Sequence, residues 1–299
     1  AYDWERMARD GFAWWRARVR WLARRWHGVR VDHVLGFFRM WELAGHCVVG
    51  LAGRFSPCHA IPKEDLDAQG LWDRQRLCEP YIRRHLLERR LGAGWEAVAD
   101  RFLEQGPHGA FKFRAGVDTE AAVVESLARD PLALPDADSN KVLAVLLSAL
   151  NDRCLLRDER QPEERFYPRF ELWNTDSFAE LGPDWQRKLR DLHDGYLGWR
   201  QEGLFESTGR ERLRALQSST SLLLTGEDLG PLPACVPKVL ADLAIPGLRI
   251  PRVAAGGPPA RYPYLSVACT STHDMAPLAA WWEGLDDAGR RAAWAEFRG

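Results

Sequence analysis

Apolar residues at helical spacing dominate the start of the chain. Trp4, Met7, Ala8, Phe12, Trp15, Val19, Leu22 and Trp26 recur at intervals of three and four, with arginines on the opposite face. This predicts one helix from residue 3 to about 27, with Asp3 as its N-cap and Gly28 as its end. Val29-Arg30-Val31-Asp32 follows as a short buried strand that ends in a carboxylate. Helix, tight turn, strand and terminal acid is the repeating unit of an α/β barrel.

From about residue 46 the rhythm breaks. A loop punctuated by Gly45, Gly50, Gly53, Pro57 and Pro62 leads into amphipathic stretches at about 64–69, 72–91, 95–105, 119–129, 139–150 and 184–201. Asp136-x-Asp138-x-Asn140 begins like a calcium loop, but the sixth position is Lys141 and the twelfth Leu147, so it is read as a helix entry. The βα rhythm returns with a helix at about 203–217. The apolar run Ser221–Thr225 then ends at Gly226-Glu227-Asp228, and a helix at 236–243 precedes a strand at 247–250. A strand at 265–268 runs out into Cys269-Thr270-Ser271-Thr272-His273-Asp274. The pattern predicts an α/β fold in three parts: barrel elements over 1–45, a mainly helical insertion over 46–200, and barrel elements over 201–299.

Composition narrows the classes. The 299 residues carry 41 Lys plus Arg against 42 Asp plus Glu, with no basic stripe and no acidic run, so no nucleic-acid partner is expected. No apolar run approaches the roughly 20 residues that span a bilayer, so no membrane partner is expected, and no signal peptide opens the chain. Six cysteines without a C-x-x-C pair suggest a reduced, cytoplasmic setting. His46-Cys47 and Cys58-His59 could be drawn as a metal site, but adjacent ligands point apart, and no metal is expected. The 14 tryptophans suit either a core or a sugar-binding cleft.

Residues just past the C-terminal ends of barrel strands converge on one face. Asp32, Glu227 and Asp274 stand at three such ends. Each alone could be a helix N-cap. Together they match the needs of glycosyl transfer: one carboxylate attacks the anomeric carbon, one moves the proton, and one grips sugar hydroxyls. Arg30 shares a strand face with Asp32 and would hold it ionised, or would merely close the barrel end as a salt bridge. Three leucines before Glu227 suggest an apolar surround that would raise its pKa towards an acid/base range. His273 could bond a sugar hydroxyl. Phe37, Phe38 and Trp41 are candidate sugar platforms, or packing under the insertion; Trp281 and Trp282 read as core.

Three stretches carry a family resemblance: Val29-Arg30-Val31-Asp32-His33-Val34-Leu35-Gly36-Phe37-Phe38-Arg39, Gly226-Glu227-Asp228-Leu229-Gly230 and Ser271-Thr272-His273-Asp274. In order and position they resemble the motifs of 4-α-glucanotransferases, the amylomaltases or disproportionating enzymes of glycoside hydrolase family 77. The resemblance implies a retaining hexosyltransferase on a (β/α)8 TIM barrel, with Asp32 as nucleophile, Glu227 as acid/base and Asp274 as transition-state stabiliser. Arg30 and His273 match positions that support the nucleophile and bind the donor sugar; Trp41, beside the motif, is a candidate substrate contact on its aromatic character alone. It implies no metal or organic cofactor, and maltose, malto-oligosaccharides and branched glucans as partners.

The long stretch between Asp32 and Glu227, with Trp14-Trp15-Arg16-Ala17-Arg18 and Phe166-Tyr167-Pro168-Arg169-Phe170, resembles the larger cytosolic type, best known from plants. In that type starch-binding modules precede the barrel. On this comparison the chain reads as an internal piece of a catalytic domain, without the first three βα units, the last one or the starch-binding modules. Such a piece is expected to be neither active nor stable alone. An α-amylase-type or debranching hydrolase with the same triad, and a glucan-binding protein on an inactive barrel, are the alternatives.

Overall fold

The structure is a computed structural model describing residues 2–135, 137–253 and 258–298. The chain divides into two compact units, Ala1–Met40 with Glu202–Gly299, and Trp41–Gln201.

The first unit is built on a four-stranded parallel sheet in the order Gly28–Val31, Leu223–Gly226, Gly247–Arg249 and Ser266–Ala268. Each strand is a short apolar run, and spatial order follows sequence order, as helical crossovers between parallel strands produce. Gly28 pairs with Leu223 and Val31 with Gly226. Gly226 then pairs with Gly247, and Gly247–Arg249 pairs residue by residue with Ser266–Ala268. Among the described residues the sheet is open, not closed into a barrel. The Trp199–Gln217 and Cys235–Asp242 helices follow the predicted pattern, and Leu278–Glu283 and Asp287–Arg298 come after the last strand.

The opening segment departs from the single predicted helix. It forms two, Trp4–Arg9 and Ala13–Ala23, broken at Gly11 and Phe12, both at positive φ. Asp3 caps the first by accepting from the Arg6 amide at 2.9 Å, and Asp10 accepts from the Ala13 amide at 2.9 Å, so the turn supplies the second helix with its own cap. The Asp10-Gly11 turn signal outweighs the helical spacing on either side.

In this unit Phe38 is fully buried, and Phe37 is 4% exposed. Phe37 lies against Trp4 and Trp15, with ring centroids 5.3 and 5.1 Å away. Neither can be a sugar platform; both are core, whereas Trp281 and Trp282 are only partly buried. A Cβ on Gly209 would sit 2.3 Å from the Phe38 ring. Gly209→Ala would gain about 1 kcal/mol of helix propensity. The fixed ring turns that gain into a net loss of about 1–3 kcal/mol from overpacking. Denaturant unfolding measures it, and a stabilised variant would contradict the packing.

The second unit has two buried clusters. One joins Phe102, Val123, Val142 and Leu146, and the other joins Ile61, Leu66, Phe166, Leu189 and Tyr196. Its helices include Lys63–Ala68, Arg84–Leu91, Trp95–Phe102, Glu120–Arg129, Ser139–Leu150 and Pro183–Leu197. Asp138 caps Ser139–Leu150 by accepting from the Lys141 amide at 2.8 Å, as a helix entry requires, while Asp136 lies outside the described residues. The predicted 72–91 helix is instead Arg74–Cys78, a strand at Ile82–Arg83 and then Arg84–Leu91. Pro80 interrupts it, since proline cannot donate to a helix. Two three-stranded antiparallel sheets lie among the helices. Their strands run for only two to four residues, too short for an alternation to register.

Asp152 is buried in this unit, and burial pushes its carboxyl up to about 6 even though it accepts from the Ser177 amide at 2.7 Å. A carboxyl raised above its unfolded value favours the folded state while protonated, so its contribution falls as pH climbs from about 4 to about 6. Asp152→Asn keeps an acceptor without the charge. The variant is expected to gain on the wild type by up to about 3 kcal/mol across that window. Unfolding free energies at pH 4 and pH 7 check this, and an unchanged difference would refute it.

Candidate active site

The register of the parallel sheet brings the first two acids together. Val31 and Gly226 are paired, so Asp32 and Glu227 are the next residues on adjacent strands, about 4.8 Å apart as strands lie. The Glu227 amide donates to the Val31 carbonyl at 2.9 Å, and the Val34 amide donates to the Glu227 carbonyl at 3.1 Å. His33, at positive φ, turns the chain so that its amide donates to Glu227 Oε2 at 2.9 Å. The Leu229 amide donates to Oε1 at 3.0 Å. Both oxygens of Glu227 are therefore held by backbone donors, one of them from the residue after Asp32.

These contacts differ from the apolar surround the leucine run suggests. Leu222 and Leu224 are buried and Leu223 is exposed. Strand alternation puts the two buried leucines on the face opposite Glu227, and what meets its carboxylate is peptide N–H.

Asp32 is exposed and takes a 2.6 Å ion pair from Arg30 Nη1. Arg30 Nε and Nη2 are buried and have no hydrogen-bond partner among the described residues. Asp274 lies in the loop after Ser266–Ala268, where its amide donates to Thr272 Oγ1 at 3.3 Å and its carboxylate faces His273 Nε2 at 3.2 Å. One donor atom each from Asp32, His273 and Asp274 lie within 4.8 Å of one another. Three carboxylates thus gather at the C-terminal edge of the sheet with one fixed cation and one imidazole. A cation could use such donors, but Arg30 and His273 already give both aspartates protein partners. Among the described residues the pairs His46-Cys47 and Cys58-His59 form no such group, and all six cysteines are free.

Asp228 is a residue whose part the sequence does not signal. It is 5% exposed, accepts from the Leu248 amide at 2.7 Å, and pairs with Arg249 Nη1 at 3.0 Å. It therefore ties the segment carrying Glu227 to the third strand while Glu227 faces the other way. A Cβ on Gly247 would lie 2.3 Å from the Asp228 carboxylate, so only glycine leaves room for it. The one available signal was Gly247 opening a strand, which often marks a close approach.

Trp41 belongs to the second unit. It packs edge-on against Phe55 at 4.9 Å and Phe170 at 5.8 Å, and its Nε1 donates to the Gly50 carbonyl at 3.0 Å. Gly53 lies so close that a Cβ there would be 2.5 Å from the indole. No helix among the described residues is long and apolar enough to cross a membrane.

A family model described as 4-alpha-glucanotransferase matches residues 1–298. A rice protein (Oryza sativa subsp. japonica) named 4-alpha-glucanotransferase DPE2 is 38% identical over 301 residues, covering 97% of this chain and 31% of its own length. A 4-alpha-glucanotransferase of Chlamydia trachomatis is 42% identical over 82 residues, 25% of this chain and 16% of its own. One from Thermus thermophilus is 35% identical over 54 residues, 18% of this chain and 11% of its own. The chain thus spans under a third of the length of these relatives. No solved structure gives a significant match. With a match over nearly its whole length, the chain belongs to the 4-alpha-glucanotransferase family.

Proposed function

We propose that this chain supplies the reacting carboxylates of a 4-α-glucanotransferase, a hexosyltransferase that moves α-1,4-glucan units from maltose or a malto-oligosaccharide to an acceptor glucan in the cytoplasm. Its parallel sheet is read as part of a (β/α)8 barrel, with residues 46–200 as an insertion and starch-binding modules elsewhere in the protein. The observation that carries the reading is the gathering of Asp32, Glu227 and Asp274 at one sheet edge, with the Glu227 carboxylate bonded to the amide next to Asp32.

In the proposed reaction Asp32 attacks the anomeric carbon of the donor, and the glycosidic bond breaks as Glu227 gives its proton to the leaving oxygen. A covalent glucosyl ester on Asp32 results. Glu227, now a carboxylate, removes the proton from an acceptor 4-hydroxyl, which displaces Asp32 with net retention. The Arg30 guanidinium, paired with Asp32 at 2.6 Å, aims its carboxylate. Asp274 and His273 are placed to hold hydroxyls of the distorting ring. Trp41 is proposed as a sugar contact. Transfer prevails over hydrolysis when the acceptor site holds sugar and excludes water. No metal or organic cofactor enters this scheme.

Incubation with maltotriose tests the reading. Glucose together with oligosaccharides longer than maltotriose supports transfer; glucose and maltose alone would assign a hydrolase; no turnover in the full-length protein would favour a binding role.

A further inference from the structure

The second unit carries a half-open cavity of about 390 Å³, lined wholly by residues between Glu42 and Tyr167. Its size falls at the lower end of small-molecule sites, roughly 300–1,000 Å³. Two charged side chains in its wall, Arg153 and Glu42, have no ion-pair partner among the described residues. Arg153 gives Nε and Nη2 to the Leu150 carbonyl and Nη1 to the Cys78 carbonyl at 3.4 Å. Among the described residues no carboxylate comes within ion-pair distance of it, and burial holds its guanidinium below the ordinary value. A guanidinium has five N–H donors, so Arg153 retains donors beyond those three bonds. The Glu42 carboxylate, half-buried in the same lining, has neither a hydrogen-bond nor an ion-pair partner among the described residues.

The lining chemistry selects a ligand class. Arg153 offers donors and Glu42 an acceptor, Arg157 and Glu79 already pair with each other at 3.8 Å, Asp118, Glu120 and Glu159 add further carboxylates, and Leu150 and Leu156 add apolar surface. An anion would satisfy Arg153 but would meet Glu42 and Glu79 as like charges. A cation would meet the reverse conflict. A hydroxyl donates and accepts at once, and a sugar ring carries several beside apolar C–H faces. We infer that this cavity is a binding site for one or two neutral hexose units, held between the Arg153 guanidinium and the Glu42 carboxylate. The inference goes beyond the proposed reaction and does not depend on the carboxylates being catalytic.

Hydrogen exchange on the purified protein, carrying Glu227→Gln to stop turnover, tests it with maltose and with inorganic phosphate as separate probes. Saturating maltose is expected to slow exchange at least threefold in residues 42–54 and 148–157, and phosphate is expected to leave them unchanged. Arg153→Gln and the cavity-filling Ala44→Phe are each expected to abolish that protection while the rest of the second unit exchanges as before. Ala44→Phe keeps the test decisive should Arg153→Gln fail to fold. Protection by phosphate and not maltose, no protection by maltose, or protection that survives Ala44→Phe would overturn the site. Protection at residues 28–35 and 226–230 reports the carboxylate cluster separately, so failure there leaves the cavity result intact.

Discussion

Asp32→Asn is expected to lower kcat for maltotriose disproportionation by about 10⁴-fold or more, the scale on which loss of a covalent nucleophile acts. The fold should not change with it. Asp32 is 60% exposed, and its pair with Arg30 is an open-surface ion pair, a kind that contributes at most about 1 kcal/mol. Asparagine also keeps an oxygen for Arg30. The expected variant is therefore folded and still binds glucan, but does not turn over. Steady-state rates beside a thermal melt and a glucan-binding isotherm separate these quantities. Retained turnover would remove Asp32 from the nucleophile role, whereas a collapsed melt would mean that the surface pair supports the fold.

Glu227→Gln is expected to cost about 10²–10⁴-fold in kcat on ordinary glucans, the contribution of a placed proton donor and acceptor. The loss should depend on the leaving group. A glucosyl or maltosyl fluoride departs without protonation, so its glycosylation step should run near the wild-type rate while the following transfer stays slow. The geometry adds a stability consequence. Both Glu227 oxygens accept from peptide N–H groups, of His33 and Leu229. In glutamine one of those oxygens becomes an NH₂ that faces a donor, costing about 1 kcal/mol for the lost hydrogen bond. A uniform loss with every donor would deny Glu227 the acid role, and an unchanged melting point would deny the double amide clamp.

The four parallel strands are legible in the sequence because each is a short apolar run closed by a polar motif, and motif order becomes strand order when neighbours pair in parallel. The placement of Asp32 beside Glu227 follows from one register, Val31 with Gly226. What periodicity hides is set by other forces. The break at Gly11 and Phe12 is a two-residue backbone event inside an otherwise helical pattern. Phe37 and Phe38 adjoin a chemical motif and so read as platforms, but Gly209, far along the chain, gives the Phe38 ring its place in the core. The leucines before Glu227 suggest an apolar pocket, yet a strand shows alternate residues to opposite faces and the carboxylate meets amides instead. Asp228 escapes notice because its role depends on the third strand, with Gly247 and Arg249. The short antiparallel strands of the second unit lack the length to show a period of two.

Roles within the carboxylate cluster are a matter of which oxygen forms a bond to carbon. Mass spectrometry of the Glu227→Gln protein after brief exposure to α-maltosyl fluoride observes that bond, because fluoride needs no acid to leave and the weakened second step lets the ester accumulate. A maltosyl adduct on the peptide containing Asp32, absent when Asp32→Asn is added, is the result this account predicts. An adduct on another peptide, or turnover of the fluoride with inversion of the anomeric centre, would contradict it.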